Sequence, residues 1–103
     1  VTSLNYMFRY CSSLGNIGYL NFYNDSQSYV WAYQMFQRCY NLQTIDNTVK
    51  FPKRINNSAQ MFEDCANLQT INTPMMIFNN ASYMFSGCRN LVNINQNIII
   101  RRS

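Results

Sequence analysis

Met7-Phe8-Arg9-Tyr10-Cys11-Ser12-Ser13-Leu14-Gly15-Asn16-Ile17 returns three more times in this chain of 103 residues, beginning at Met35, Met61 and Met84. Each copy keeps Met-Phe-x-x-Cys-x-x-Leu-x-x-Ile, and the four align without a gap over 1–17, 29–45, 55–71 and 78–94. Cys11, Cys39, Cys65 and Cys88 mark the period, with intervals of 28, 26 and 23 residues. A unit that recurs at such a spacing cannot bury its apolar face alone and must stack on its neighbours. The chain therefore reads as one repeat domain, with copies near 1–28, 29–54, 55–77 and 78–103.

Within a copy, Val1, Leu4, Met7, Phe8 and Cys11 recur at steps of three and four, the apolar stripe of a short helix. Capping residues precede three of these stripes: Thr2 and Ser3, Asn56 and Asn57, Asn79 and Asn80. The second copy has Val30 and Trp31 at that place, which moves its expected helix start to Ser28. Leu14 and Ile17 and their equivalents then supply a strand, expected at 14–17, 42–45, 68–71 and 91–94. One short strand and one short helix suit a unit of this length, whereas two full helices need roughly 33 residues. The expected fold class is thus α/β: a right-handed solenoid of about four coils with parallel strands. The connectors 18–28, 46–54 and 72–77 shorten along the chain and hold the variable loops.

Composition removes most chemistries. There is no His, so Ser–His–Asp and Cys–His catalysis and His-containing zinc sites are excluded. Charged residues make up 12%, about half the usual share. Of the four acids only Glu63 and Asp64 are adjacent, and no phosphate loop or nucleophile elbow is present. No enzyme, metal or cofactor is expected. No apolar run approaches the ~18 residues of a membrane span. Eight basic residues against four acidic leave a net charge of +4. Lys50, Lys53 and Arg54 form the one dense basic group before Arg101 and Arg102, while Arg9, Arg38 and Arg89 fall at different places in the repeat. That pattern suits a solvated loop better than a nucleic-acid groove.

Four cysteines in a small domain invite a disulfide reading. Here every Cys holds the same place in its coil, so their side chains form a column of parallel vectors. A disulfide needs convergent Cβ atoms about 3.8 Å apart, and a straight column cannot surround a tetrahedral zinc ion. Four buried, reduced thiols are expected, beside a core ladder of Met7, Met35, Met61 and Met84 with Phe8, Phe36, Phe62 and Phe85.

The phrases Val1-Thr2-x-Leu4-x-Tyr6-Met7-Phe8-x-x-Cys11-Ser12-Ser13-Leu14 and Ser82-Tyr83-Met84-Phe85-Ser86-Gly87-Cys88-Arg89-Asn90-Leu91 resemble the repeat of BspA-like leucine-rich-repeat proteins. The resemblance covers nearly the whole chain. It implies a leucine-rich-repeat-type solenoid with a binding or adhesion role on a cell surface or in a secreted protein. Similar repeats in phage and other viral proteins make a virion component the alternative, with nucleic-acid binding a weaker third. Stacking would bring the residues between and after Leu and Ile into two outward polar ladders: Asn16, Thr44, Thr70 and Asn93, and Gly18, Asp46, Asn72 and Asn95. These are the candidate binding face, suited to a protein or glycan ligand. The regular first copy also calls for neighbouring repeats or another chain to cover its Val1 end, as in a segment of a longer solenoid.

Overall fold

The computed structural model describes residues 3–23 and 29–101. The chain winds as a parallel β-solenoid with two four-stranded sheets. One sheet contains the two-residue strands β1 (Asn16–Ile17), β3 (Thr44–Ile45), β5 (Thr70–Ile71) and β7 (Asn93–Ile94), one from each motif copy. The other is built from residues that precede the later motifs, β2 (Val30–Trp31), β4 (Ile55–Asn56) and β6 (Met75–Phe78), and from β8 (Ile98–Arg101), which follows the last motif. All pairings are parallel, with Ile17, Ile45, Ile71 and Ile94 in register. The first sheet occupies only the second half of each expected strand, ending at Ile and leaving Leu14, Leu42, Leu68 and Leu91 outside it. The second was not anticipated, although its β-branched and aromatic residues are those that strands favour. Four rungs enclose about three turns, fewer than the four coils expected.

The helix is the main correction. Among the described residues there is none, so the α/β class with a helix in each coil does not hold. The expected helices are runs of turns at 5–10, 33–38, 59–64 and 82–87. In the second coil the Met35, Gln37 and Cys39 amides donate to Ala32, Gln34 and Phe36, each three residues back. The alternate amides of Gln34, Phe36 and Arg38 instead donate to Ala59, Met61 and Glu63 of the next coil. The first coil repeats this through Tyr6, Phe8 and Tyr10, and the third through Gln60, Phe62 and Asp64. Such a path needs left-handed backbone twice per coil, at Tyr6 and Tyr10, Gln34 and Arg38, Gln60 and Asp64, and Tyr83 and Gly87. Turns of this kind reproduce the three-and-four spacing of an amphipathic helix. A lone helix of two turns is marginal in water, whereas the turn ladder is hydrogen-bonded to the coil beside it.

The expected capping residues do bond backbone amides, but two residues on, as in Asx and Ser turns. Ser3 Oγ accepts from Asn5 N, Asn57 Oδ1 from Ala59 N and Asn80 Oδ1 from Ser82 N. The second coil lacks such a residue, and Asn5 of the first coil supplies the acceptor by receiving Tyr33 N at 2.7 Å. Ser28, the expected helix start there, lies outside the described residues. Between Val30 N→Arg54 O and Ala32 N→Asn57 O the ladder takes in one extra residue of the third coil. Asn57 absorbs it at φ 59°, a left-handed conformation that Asn tolerates better than most residues.

Ladders of Phe and Cys run through the interior, and one of Asn lies on the surface. Phe8, Phe36, Phe62 and Phe85 stack face to face, with centroids 5.2, 5.3 and 5.7 Å apart and planes within 11°. Burying each ring contributes roughly 1.5–3 kcal/mol. The thiols of Cys39, Cys65 and Cys88 donate to the carbonyls of Phe8, Phe36 and Phe62 in the preceding coil, at 3.0, 3.1 and 3.0 Å. Asn41, Asn67 and Asn90 do the same with Ser12, Tyr40 and Ala66. Cys and Asn thus pin each coil to the one before it. All four cysteines are free, but they are not equally buried: Cys39 and Cys65 are enclosed, Cys88 is half-buried and Cys11 is exposed. The expected burial of all four fails at the outer rungs, where a neighbour covers one side only. In the Met column only one end opens: Met7 is 52% exposed, whereas Met35, Met61 and Met84 are buried.

Candidate binding face

The β1–β3–β5–β7 sheet brings Asn16, Thr44, Thr70 and Asn93 into one register. Their neighbours Ile17, Ile45 and Ile71 turn inward, as strand alternation requires. Asn16 and Asn93 are exposed and the two threonines half-buried. Among the described residues none of these four side chains makes a hydrogen bond. A shallow depression of about 400 Å³ lies at one end of the ladder, lined by Thr70, Asn72, Asn93 and Asn95 among others.

The second expected ladder behaves differently. The amides of Asp46, Asn72 and Asn95 donate to the carbonyls of Ile17, Ile45 and Ile71, so the stacking itself is present. Its side chains, however, serve the turns. The carboxylate of Asp46 accepts from the Thr48 hydroxyl and from the Thr48 amide. These two bonds, the hydroxyl first, hold its carboxyl below the ordinary carboxylate range. Asn95 accepts from Asn97 N at 2.8 Å and donates to Asn72 at 3.4 Å. Gly18 leaves the room this turn needs: a Cβ there would lie 2.7 Å from Asp46 Oδ2 and 2.9 Å from Thr48 Oγ1. The outward positions are therefore divided, one ladder open and one bound into the protein.

Two features escaped sequence reasoning. Arg9 and Arg38, which occupy different places in the repeat, converge on Tyr10, with guanidinium carbons 4.3 and 5.5 Å from its ring centre. Arg9 also donates to Gln37, Gln37 to Glu63 and Gln34 to Gln60, so an amide network runs across three coils beside these rings. Glu63 and Asp64, adjacent in sequence, sit on a turn run: Glu63 receives Gln37 and Gln60, and Asp64 pairs with Arg38 at 3.7 Å. The basic group also divides. Arg54 lies over Tyr29 and Phe78, while Lys50 and Lys53 line a cleft between connectors. Among the described residues no group of three or more metal-ligating side chains occurs, and no helix is long and apolar enough to cross a membrane.

The family model for the BspA-type leucine-rich-repeat region matches residues 5–101 in six copies. The chain belongs to this family. Its repeats are typically found in surface proteins of bacteria. The searches of curated proteins and of solved structures returned no match. In this BspA-type chain the repeat motif supplies the inward ladders, and the outward positions are left to vary.

Proposed function

We propose that the chain is a non-enzymatic recognition module of a surface-exposed or secreted repeat protein, taking a glycan or an extended protein segment across Asn16, Thr44, Thr70 and Asn93. One observation carries this reading: four uncharged polar side chains share one register and make no hydrogen bond among the described residues. They repeat at about the 4.8 Å spacing of neighbouring strands, offering donors and acceptors without a fixed charge. A single such bond contributes about 0.5–1.5 kcal/mol net, so useful affinity needs a ligand that spans several rungs. That requirement favours a polymer over a small molecule on this face.

The test is a panel of immobilised oligosaccharides together with a displayed peptide library, screened against the 103-residue chain. The variant Asn16→Ala/Thr44→Val/Thr70→Val/Asn93→Ala keeps the inward ladders, and Val suits a strand at least as well as Thr. Ligands selected by the parent chain should bind this variant at least about tenfold more weakly, as expected when two or more hydrogen bonds are lost. Undiminished binding would remove the ladder from the site.

A further inference from the structure

The connectors of successive coils meet around a cleft of about 540 Å³. Tyr23 comes from the first connector and Lys50 to Lys53 from the second, with Pro74 from the third and Asn97 from the last. Met75 and Met76 of β6 and Ile99 of β8 complete the lining. The cleft shares no residue with the Asn and Thr ladder.

We propose that this cleft is a second binding site, for a small carboxylate with an unbranched apolar body of about ten carbons. Its volume is within the ~300–1,000 Å³ usual for ligand pockets that combine apolar walls with few polar groups. Pro52, Pro74, Met76 and Ile99 offer the apolar contacts, and methionine adapts its shape to flexible chains. The charge is one-sided. Among the described residues Lys50 and Lys53 line the cleft and no carboxylate does. Lys50 is held at its place by donating to Asn47 O at 2.6 Å, and it lies near enough to Asp46 to lower that carboxyl slightly. Lys53 is exposed and makes no ion pair among the described residues, so it is the main partner for the ligand's carboxylate. Thr73 is buried and already donates to Val49 O, which leaves the lysines to select the head group.

The experiment titrates the isotopically labelled 103-residue chain with decanoate, decanol and decyltrimethylammonium, following amide shifts. Decanoate should bind saturably, with shifts concentrated at Lys50, Phe51, Lys53, Met75, Met76 and Asn97. Decanol should bind about fivefold more weakly, and the ammonium weaker still, as expected for one partly exposed charge contact. Lys50→Gln/Lys53→Gln, at exposed positions, should keep the parent spectrum and lose the preference for decanoate over decanol. Equal binding of decanoate and decanol by the parent chain, a preference that survives the double substitution, shifts centred elsewhere, or no saturation would each overturn the proposal. Loss of ladder binding in the four-site variant would not affect these titrations, so the two readings fail separately.

Discussion

Cys39, Cys65 and Cys88 each place a thiol on the carbonyl of the preceding coil's Phe, while Cys11 stands in the open. Burial raises the Cys39 and Cys88 thiols to about 11, against the opposing pull of a backbone amide from the preceding coil's Cys, and raises Cys65 as well. The thiolate is the reactive form. With an alkylating reagent at neutral pH, Cys11 should be modified first, Cys88 more slowly, and Cys39 and Cys65 only on unfolding. Mass spectrometry of timed samples checks the order; uniform labelling of the native chain would contradict it. Stability follows the same shifts. Below pH 9 both folded and unfolded thiols hold their protons, so the stabilising contribution is complete. From 9.0, where the unfolded thiol titrates, to about 11, the unfolded chain releases protons the folded one keeps, so stability falls. The urea midpoint should therefore be lower at about pH 10.5 than at about pH 8.

The turn runs are where sequence and structure part. Steps of three and four, polar starts and the absence of Pro are common to a helix and to this ladder, so no residue in 5–10 or 33–38 decides between them. The nearest sign was Gly87, which occupies the position of Tyr10, Arg38 and Asp64 and adopts φ 78°. It suggests a test at that position. Asp64→Gly should change stability by less than about 0.5 kcal/mol, because Asp64 already has left-handed φ and its exposed pair with Arg38 is worth little. In a helix the same change would cost about 1 kcal/mol. Gly87→Ala should destabilise by about 1–2 kcal/mol, since a Cβ there has an unfavourable φ and would crowd Asp64. Urea unfolding measures both, and far-ultraviolet circular dichroism should lack helical minima.

Over the whole molecule, stability is a sum of contacts between adjacent coils. The Phe column joins all four copies, but Phe36 and Phe62 have a ring on both faces and are fully buried, whereas Phe8 and Phe85 are partly covered. Phe62→Ala should cost about 3–5 kcal/mol, in the range of large core truncations, and Phe8→Ala roughly half that. Equal losses would mean that the two coils are equally supported. Hydrogen exchange should be slowest at the Phe36 and Phe62 amides, which donate to Met61 and Met84 across the stack. The outward face is divided accordingly: Asp46 and Asn95 accept from backbone amides two positions on, while the side chains of Asn16, Thr44, Thr70 and Asn93 form no hydrogen bond among the described residues.

The five invariant positions of each copy were enough to establish a repeat, a parallel stack with Ile in register, an inward Phe and Met column and a thiol column without disulfide geometry. These follow from identity at a fixed offset: equal residues at equal places must superpose when coils stack. The course of the backbone between them did not follow. Whether alternate amides turn back three residues or reach across to the next coil depends on partners 22 to 27 residues away, and local periodicity is the same for both. Tertiary structure alone decided the second sheet, the exposure of Cys11, the meeting of Arg9 and Arg38 on Tyr10 and the Lys50–Lys53 cleft. Each depends on which coil lies beside which, a relation that no single copy contains.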